Sequence, residues 1–279
     1  MGMRISTNVS ALNAHRTLGT TKTALDKSMS RLSSGSRINK SADDAAGLAL
    51  SENFKAQMRG LKQASRNAQD GISMIQTAEG SLGEIGNILI RLRELSVQAA
   101  SDTIGDRERA LVDIEFGQML EEIDRIASSA EFNGTPLLSG VGELLEFQIG
   151  TKNSPDLDRL SFDASAADAG TIALGVNLTG AFDKLTAQES LGSLDNAINF
   201  VSGMRANFGA LQSRMSSTVD NINVNLENIA SANSRIRDTD IAEESSEMAR
   251  QNIMLQAGTS VLAQANQQPA LALTLLGKG

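Results

Sequence analysis

Cysteine, tryptophan and tyrosine are absent from this chain of 279 residues, histidine occurs once and proline three times. Without cysteine there is no disulfide, no thiol nucleophile and no thiolate metal site, and the redox compartment cannot be read from thiol usage. A single histidine, His15, cannot build a usual zinc site. Aromatic residues make up 3% of the chain, so any core is assembled from Leu, Ile, Val, Met and Ala. Such cores suit thin helix pairs better than wide sandwiches.

No run of about 18 apolar residues is present, which argues against a membrane-spanning helix. Met1 to Ser30 shows neither an apolar h-region nor a small-residue cleavage site, so a general secretory leader is not expected. Glycines never fall in a phosphate-cradling pattern followed by Lys-Ser or Lys-Thr, and nucleotide binding has no support. The adjacent acids Asp43–Asp44 and Glu121–Glu122 resemble carboxylate pairs, but neighbours along a helix do not face each other. Capping and solvation account for them. Neither a cofactor nor a catalytic constellation is expected, and no small-molecule substrate is implied.

Charge is unevenly spread about the formal net value of −8. Met1 to Gly60 holds nine basic residues against four acids, whereas Glu131 to Phe200 holds ten acids against three basic residues. The basic third contains Phe54 as its one aromatic and belongs to an acidic protein, so a solvated or inter-subunit face is a better account than nucleic-acid binding.

What the chain does have is periodicity. Leu194, Val201, Phe208, Met215, Ile222, Ile229 and Ile236 recur at every seventh position, with Ile198, Met204 and Leu211 at offsets of three or four. This is a coiled-coil seam on a long helix from about Gln188 to Ser234. At the other end Ile5, Val9 and Leu12 lead into Leu18, Leu25 and Leu32, again at sevens. A helix with one apolar stripe needs a partner, from the same chain or from another copy.

Between the ends, Ser33 to Arg37 reads as a hinge or extended link. Ser41-Ala42-Asp43-Asp44 offers a helix start in which Ser41 or Asp43 accepts from free N–H groups. A second helix follows through Met58, Leu61, Ala68, Ile72, Ile75, Leu82 and Leu89, softened by Gly60, Gly71, Gly80, Gly83 and Gly86. Ser101 to Arg107 breaks it. A shorter helix carries Leu111, Ile114, Met119, Ile123 and Ile126 until Asn133-Gly134-Thr135-Pro136 stops it. From Leu137 to Thr186 the apolar runs Leu144 to Ile149 and Thr171 to Leu178 predict one or two β-hairpins. The expected architecture is mainly α: a long antiparallel helical coiled-coil bundle formed by paired terminal segments, with a small β-hairpin region in the middle.

Ser33-Ser34-Gly35-Ser36-Arg37-Ile38-Asn39, then Ala42-Asp43-Asp44-Ala45-Ala46-Gly47-Leu48-Ala49, closely resembles the N-terminal signature of bacterial flagellin. Gln63 to Ser73 resembles it as well. At the other end Ser234-Arg235-Ile236-Arg237-Asp238-Thr239-Asp240 and Gln256 to Gln267 are similar to the flagellin C-terminal signature. The resemblance implies a short flagellin without large outer domains, in which residues 1–42 and 240–279 pair as an inner domain lining a filament channel. Residues 43–239 then form the outer wall, including the short β-rich segment at about 137–186.

The function so implied is a structural subunit of the bacterial flagellar filament, secreted through the flagellar export channel, extracellular, self-assembling into a hollow helical propeller and not an enzyme. The implied partners are further copies of itself, a flagellar export chaperone, and the filament cap and hook-junction proteins. A hook–filament junction protein is the alternative. The expected assembly seam comprises Leu18, Leu25, Leu32, Leu194, Val201, Phe208, Met215, Ile222, Ile229, Ile236, Leu255 and Leu262. Arg91 to Gln98 resembles the flagellin segment bound by Toll-like receptor 5, which carries over to Arg91, Leu95 and Glu115 as a candidate contact of the free monomer.

Overall fold

A computed structural model describes the backbone from Asn8 to Leu276, with side chains to Gln267. Ile5 of the N-terminal stripe lies outside the described residues. Among the described residues six helices and four short strands follow in the order α1 (Val9–Ser34), α2 (Ala45–Ala99), α3 (Asp106–Ser129), β1 (Glu131–Phe132), β2 (Thr135–Pro136), β3 (Leu144–Gln148), α4 (Pro155–Asp158), β4 (Arg159–Asp163), α5 (Lys184–Arg237) and α6 (Ile241–Leu276). The chain divides into two compact units, one of residues up to Ala56 with those from Asn228 on, the other Gln57–Glu227.

In the first unit α1 and α6 pair antiparallel. Asn8 donates its side-chain amide to Ala265 O at 2.8 Å, Leu18 lies against Gly258, and Arg31 meets Glu244. Asn8 also caps α1, accepting from Ala11 N, and Gly35 ends it in the left-handed conformation at φ 67°. The expected hinge at Ser33 to Arg37 is therefore a helix stop followed by a bridge. Ser36 pairs with Asp238, Arg37 N donates to Arg237 O at 2.6 Å, and Thr239 N donates to Gly35 O at 3.1 Å. The two connections of this unit brace each other.

The start of α2 differs in detail from the expected cap. Asp44 Oδ1 accepts from Gly47 N at 2.8 Å and does the capping. Asp43 turns back instead, accepting from the N–H groups of Asn39 and Lys40 and pairing with Lys27 at 2.9 Å. Ser41 lies in the preceding turn.

In the second unit α2, α3 and α5 share one core. Ile75, Leu82, Ile85, Leu89 and Leu92 from α2, Phe116 and Ile123 from α3, and Leu194 and Met215 from α5 are buried in it. α2 and α5 run antiparallel, joined by Arg93–Asp195 at 2.6 Å and Glu79–Arg205 at 3.8 Å. Gly71 lets them approach, because a Cβ there would come within 3.0 Å of Met215 and 3.1 Å of Phe147. That close packing explains one glycine that costs helix stability.

Strands β3 and β4 pair from Leu144↔Asp163 to Gln148↔Arg159. They lay Phe162 edge-on to Phe208 of α5, ring centroids 5.3 Å apart. Leu144 to Ile149 thus forms the expected strand, but Thr171 to Leu178 does not. It coils as turns, with Leu174 N donating to Gly170 O and Val176 N to Thr171 O, and Asp124 of α3 accepts from both Thr171 N and Thr171 Oγ1. The second hairpin, β1–β2, precedes the segment, and its turn is Asn133–Gly134. Apolar alternation did not separate the two stretches: in the second, Ile172 and Leu178 stay exposed, Asp124 takes Thr171, and the other backbone donors close local turns.

Candidate assembly and recognition surfaces

In α1 the covered face is Ala11, Ala14, Leu18, Thr21, Leu25, Ser28 and Leu32, alternating three and four residues apart. In α6 it is Glu244, Met248, Gln251, Leu255, Gly258, Leu262 and Ala265, spaced in the same way. Leu18, Leu25 and Leu32 thus form one row of a heptad whose other row is Ala14, Thr21 and Ser28. Of the predicted seam residues here, Leu25 is 9% exposed, while Leu18, Leu32, Leu255, Leu262, Ile229 and Ile236 are half-buried. Thr21, Ser28, Glu244 and Gln251 are buried polar members that the apolar count passed over. Their spacing from the leucines was the available signal.

Glu244 is bonded from two sides, by Arg31 at 3.5 Å and by Thr239 Oγ1 at 3.5 Å. Polar layers of this kind specify register and orientation while giving up hydrophobic stabilisation. The same pair of helices leaves large apolar side chains in solvent: Val9, Leu12 and Met29 on α1, and Ile241, Ile253, Met254 and Val261 on α6. Leu12 and Ile253 are 63% and 67% exposed.

In the second unit Leu194, Val201, Phe208, Met215 and Ile222 are all buried by the chain itself. Their stripe faces α2 and the β3–β4 hairpin, so the partner it required is intramolecular.

Arg91, Leu95 and Glu115 are brought together but are not alike. Arg91 reaches from α2 to Glu115 of α3 at 2.9 Å, and to Glu94 at 3.1 Å. Glu115 first, then Glu94, raise the affinity of the guanidinium for its proton. Both charged side chains are exposed, whereas Leu95 is 1% exposed and belongs to the core. Leu95 supports the helix that carries Arg91 and offers no surface of its own.

Two fixings were not anticipated. Arg109, 7% exposed, donates to Ala99 O, Ser101 O and Asp106, tying the end of α2 to the start of α3. On α3, Asp113 accepts from Ala181 N and Asp124 from Thr171, which holds the 165–183 loop against that helix. Asp43 is held at about 2, below its ordinary 3.8, chiefly by Lys27 and then by the backbone N–H groups of Lys40 and Asn39. Among the described residues no three His, Cys, Asp or Glu side chains gather as a metal site, and no helix is long and apolar enough to cross a membrane.

Residues 5–143 match the bacterial flagellin N-terminal helical region, and residues 191–276 the bacterial flagellin C-terminal helical region. The chain is 44% identical to the flagellin of Halalkalibacterium halodurans, spanning 98% of this chain and 100% of that one. It is 42% identical to the flagellin of Bacillus subtilis and 42% identical to the flagellar filament 33 kDa core protein of Treponema phagedenis, each again over 98% of this chain and 100% of the other. The crystal structure of Bacillus cereus flagellin, 33% identical, covers 56% of this chain and 88% of its own, with a TM-score of 0.50.

Proposed function

Because the chain belongs to the bacterial flagellin family and is a structural subunit of the extracellular flagellar filament, self-assembling into it, we propose that its polymer contacts lie mainly on the apolar side chains its own fold leaves uncovered. The observation carrying this reading is that the paired helices α1 and α6 leave Val9, Leu12, Met29, Ile241, Ile253, Met254 and Val261 exposed on their sides. A two-helix pair has no third element to cover such side chains, and a neighbouring copy supplies one. The coiled-coil stripe of α5 is then a folding seam of the monomer, and the α1–α6 pair is the part completed by neighbours.

In the same reading residues 1–42 and 240–279 form the inner, channel-lining part of the tube and residues 43–239 its wall. The chain has no catalytic role. It travels unfolded through the flagellar export channel with a chaperone, and meets cap and hook-junction proteins at the two filament ends. A subunit repeated by one heterologous contact grows without limit. Purified chain seeded with filament fragments should lengthen continuously, and Leu12→Asp or Ile253→Asp should stop growth while the monomer keeps its helix content. Growth that halts as a short ring, or normal filaments from both variants, overturns the assignment.

A second reading concerns the free monomer. The exposed Arg91–Glu115 pair presents a charged, geometrically fixed feature suited to Toll-like receptor 5, and Leu95 acts behind it as a support. Reporter cells challenged with monomer and with cross-linked filament test it, and equal responses place the epitope elsewhere.

A further inference from the structure

Asn133–Gly134 is the one Asn-Gly step in the sequence, and it is the two-residue connection between Phe132 and Thr135. An Asn-Gly peptide is chemically fragile. Its glycine has no side chain to block the backbone nitrogen from attacking the asparagine carboxamide. Here both residues are exposed, and beyond the adjoining residues no heavy atom lies within 4 Å of where a Gly134 Cβ would stand, so crowding does not protect the site.

Conformation does. Asn133 has φ 51° and Gly134 φ 79°, both left-handed, as a type I′ hairpin turn requires. For the ring to close, Cβ of Asn133 and N of Gly134 must be nearly eclipsed about the Cα–C bond. In the left-handed region ψ is about +30 to +60°, which puts the two on opposite sides of that bond.

The turn is also a keystone. Leu137 N donates to Ala130 O at 2.9 Å, Ala169 N donates to Leu138 O at 3.0 Å, and Leu137 and Leu138 are both 0% exposed. We propose that Asn133–Gly134 is a self-modifying site silenced by the fold: unfolded chain converts Asn133 to isoaspartate, and converted chain cannot close the β1–β2 turn. In the step, Gly134 N bonds to Asn133 Cγ, the bond from Cγ to the side-chain nitrogen breaks, and ammonia leaves with the Gly134 amide proton. Water then opens the succinimide at either carbonyl. Opening at the main-chain carbonyl routes the backbone through the side chain, inserting one methylene and adding a carboxylate. A two-residue hairpin loop has no room for the extra backbone atom. Chain that waits unfolded is thereby marked, and folded chain is preserved.

The test incubates the folded full-length protein, the same protein in guanidinium, and a synthetic peptide of residues 130–138 at mildly alkaline pH. Peptide mapping reads ammonia loss and hydrolysis at Asn133, and isoaspartyl methyltransferase labelling distinguishes the two products. Guanidinium-unfolded chain should match the peptide, and folded chain should be slower by roughly tenfold or more, since closure waits on opening of the hairpin. After removal of denaturant, isoaspartate at position 133 should concentrate in the fraction that fails to regain helix and be absent from filaments grown on seeds. Conversion in the folded chain at the peptide's rate overturns the silencing. Isoaspartate-bearing chains entering filaments at the parent's rate overturn the consequence.

Discussion

Arg109 donates its Nε–H to the carbonyl oxygen of Ala99 at 2.9 Å, capping the C-terminal end of α2 from the first turn of α3. Its two other bonds, to Ser101 O at 3.0 Å and Asp106 at 2.9 Å, leave the guanidinium satisfied although it is almost covered. The last carbonyls of a helix have no intrahelical partner, and a cation there answers both their hydrogen-bonding need and the helix dipole.

Arg109→Met keeps the length of the side chain and removes all three bonds. Charge-assisted hydrogen bonds in a covered site are worth about 1.5–3 kcal/mol, and stranding two carbonyls adds to the loss, so unfolding stability should fall by about 2 to 4 kcal/mol. Chemical denaturation of the monomer followed by far-ultraviolet circular dichroism measures this. An unchanged midpoint would show that the α2–α3 turn is held by packing alone.

Ile222 and Ile253 should fail by different routes. Ile222 is 4% exposed, and Ile222→Asp buries a carboxylate with no partner, a cost of several kcal/mol that the monomer bears before any polymer forms. Loss of helix signal and loss of swarming should appear together. Ile253 is 67% exposed, and Ile253→Asp should leave the monomer's helix content intact while filament growth stops. Equal monomer stability in the two variants would contradict the separation of folding seam from assembly face.

The acid sensitivity of the first unit has a definite direction. Asp43 is depressed from 3.8 to about 2 by its bond to Lys27 and the two backbone donors. A carboxylate with a depressed folded pKa contributes stability that is whole above its ordinary value and is lost as pH falls toward the folded one. The window runs from about 3.8 down to about 2. Asp43→Ala should therefore be less stable than the parent at neutral pH, with the gap closing as pH approaches 2. Thermal melts at a series of pH values read it, and a gap independent of pH would remove the charge from the account.

Helix periodicity was legible because it is written in many residues at once. The predicted span Gln188 to Ser234 lies within α5, which extends it to Lys184 and Arg237. Strands were less legible, since Thr171 to Leu178 alternates like a strand yet its donors close local turns and Thr171 is held by Asp124, a residue 47 positions upstream. No local pattern announces such a pairing. The assembly stripe had the same difficulty. Apolar sevens identify a face covered within the chain, as at Met215, but they pass by Ile253, which lies off the row of Leu255 and Leu262 and is proposed to meet another copy. The polar heptad members Thr21 and Ser28 were readable in principle, because their spacing from Leu18 and Leu25 puts them on the same face.

The Arg91–Glu115 pair allows recognition to be separated from architecture. At 2.9 Å and exposed on both sides, it is worth about 0–1 kcal/mol to the fold, so neither residue is needed for the monomer to form. Arg91→Glu places like charges opposite each other and should weaken both the local geometry and the Toll-like receptor 5 response of the monomer. Exchanging the charges, Arg91→Glu with Glu115→Arg, restores the ion pair between α2 and α3 but inverts what a partner meets. If the receptor reads these side chains directly, the exchanged monomer should lose no more than about 1 kcal/mol, from the like charge now facing Glu94, and still be inactive, because a charge-assisted contact of about 1.5–3 kcal/mol has become a repulsion. Reporter-cell activation plotted against monomer concentration decides the matter. Full activity in the exchanged variant would mean that the pair only shapes the α2–α3 surface, and that recognition falls on other residues of that face.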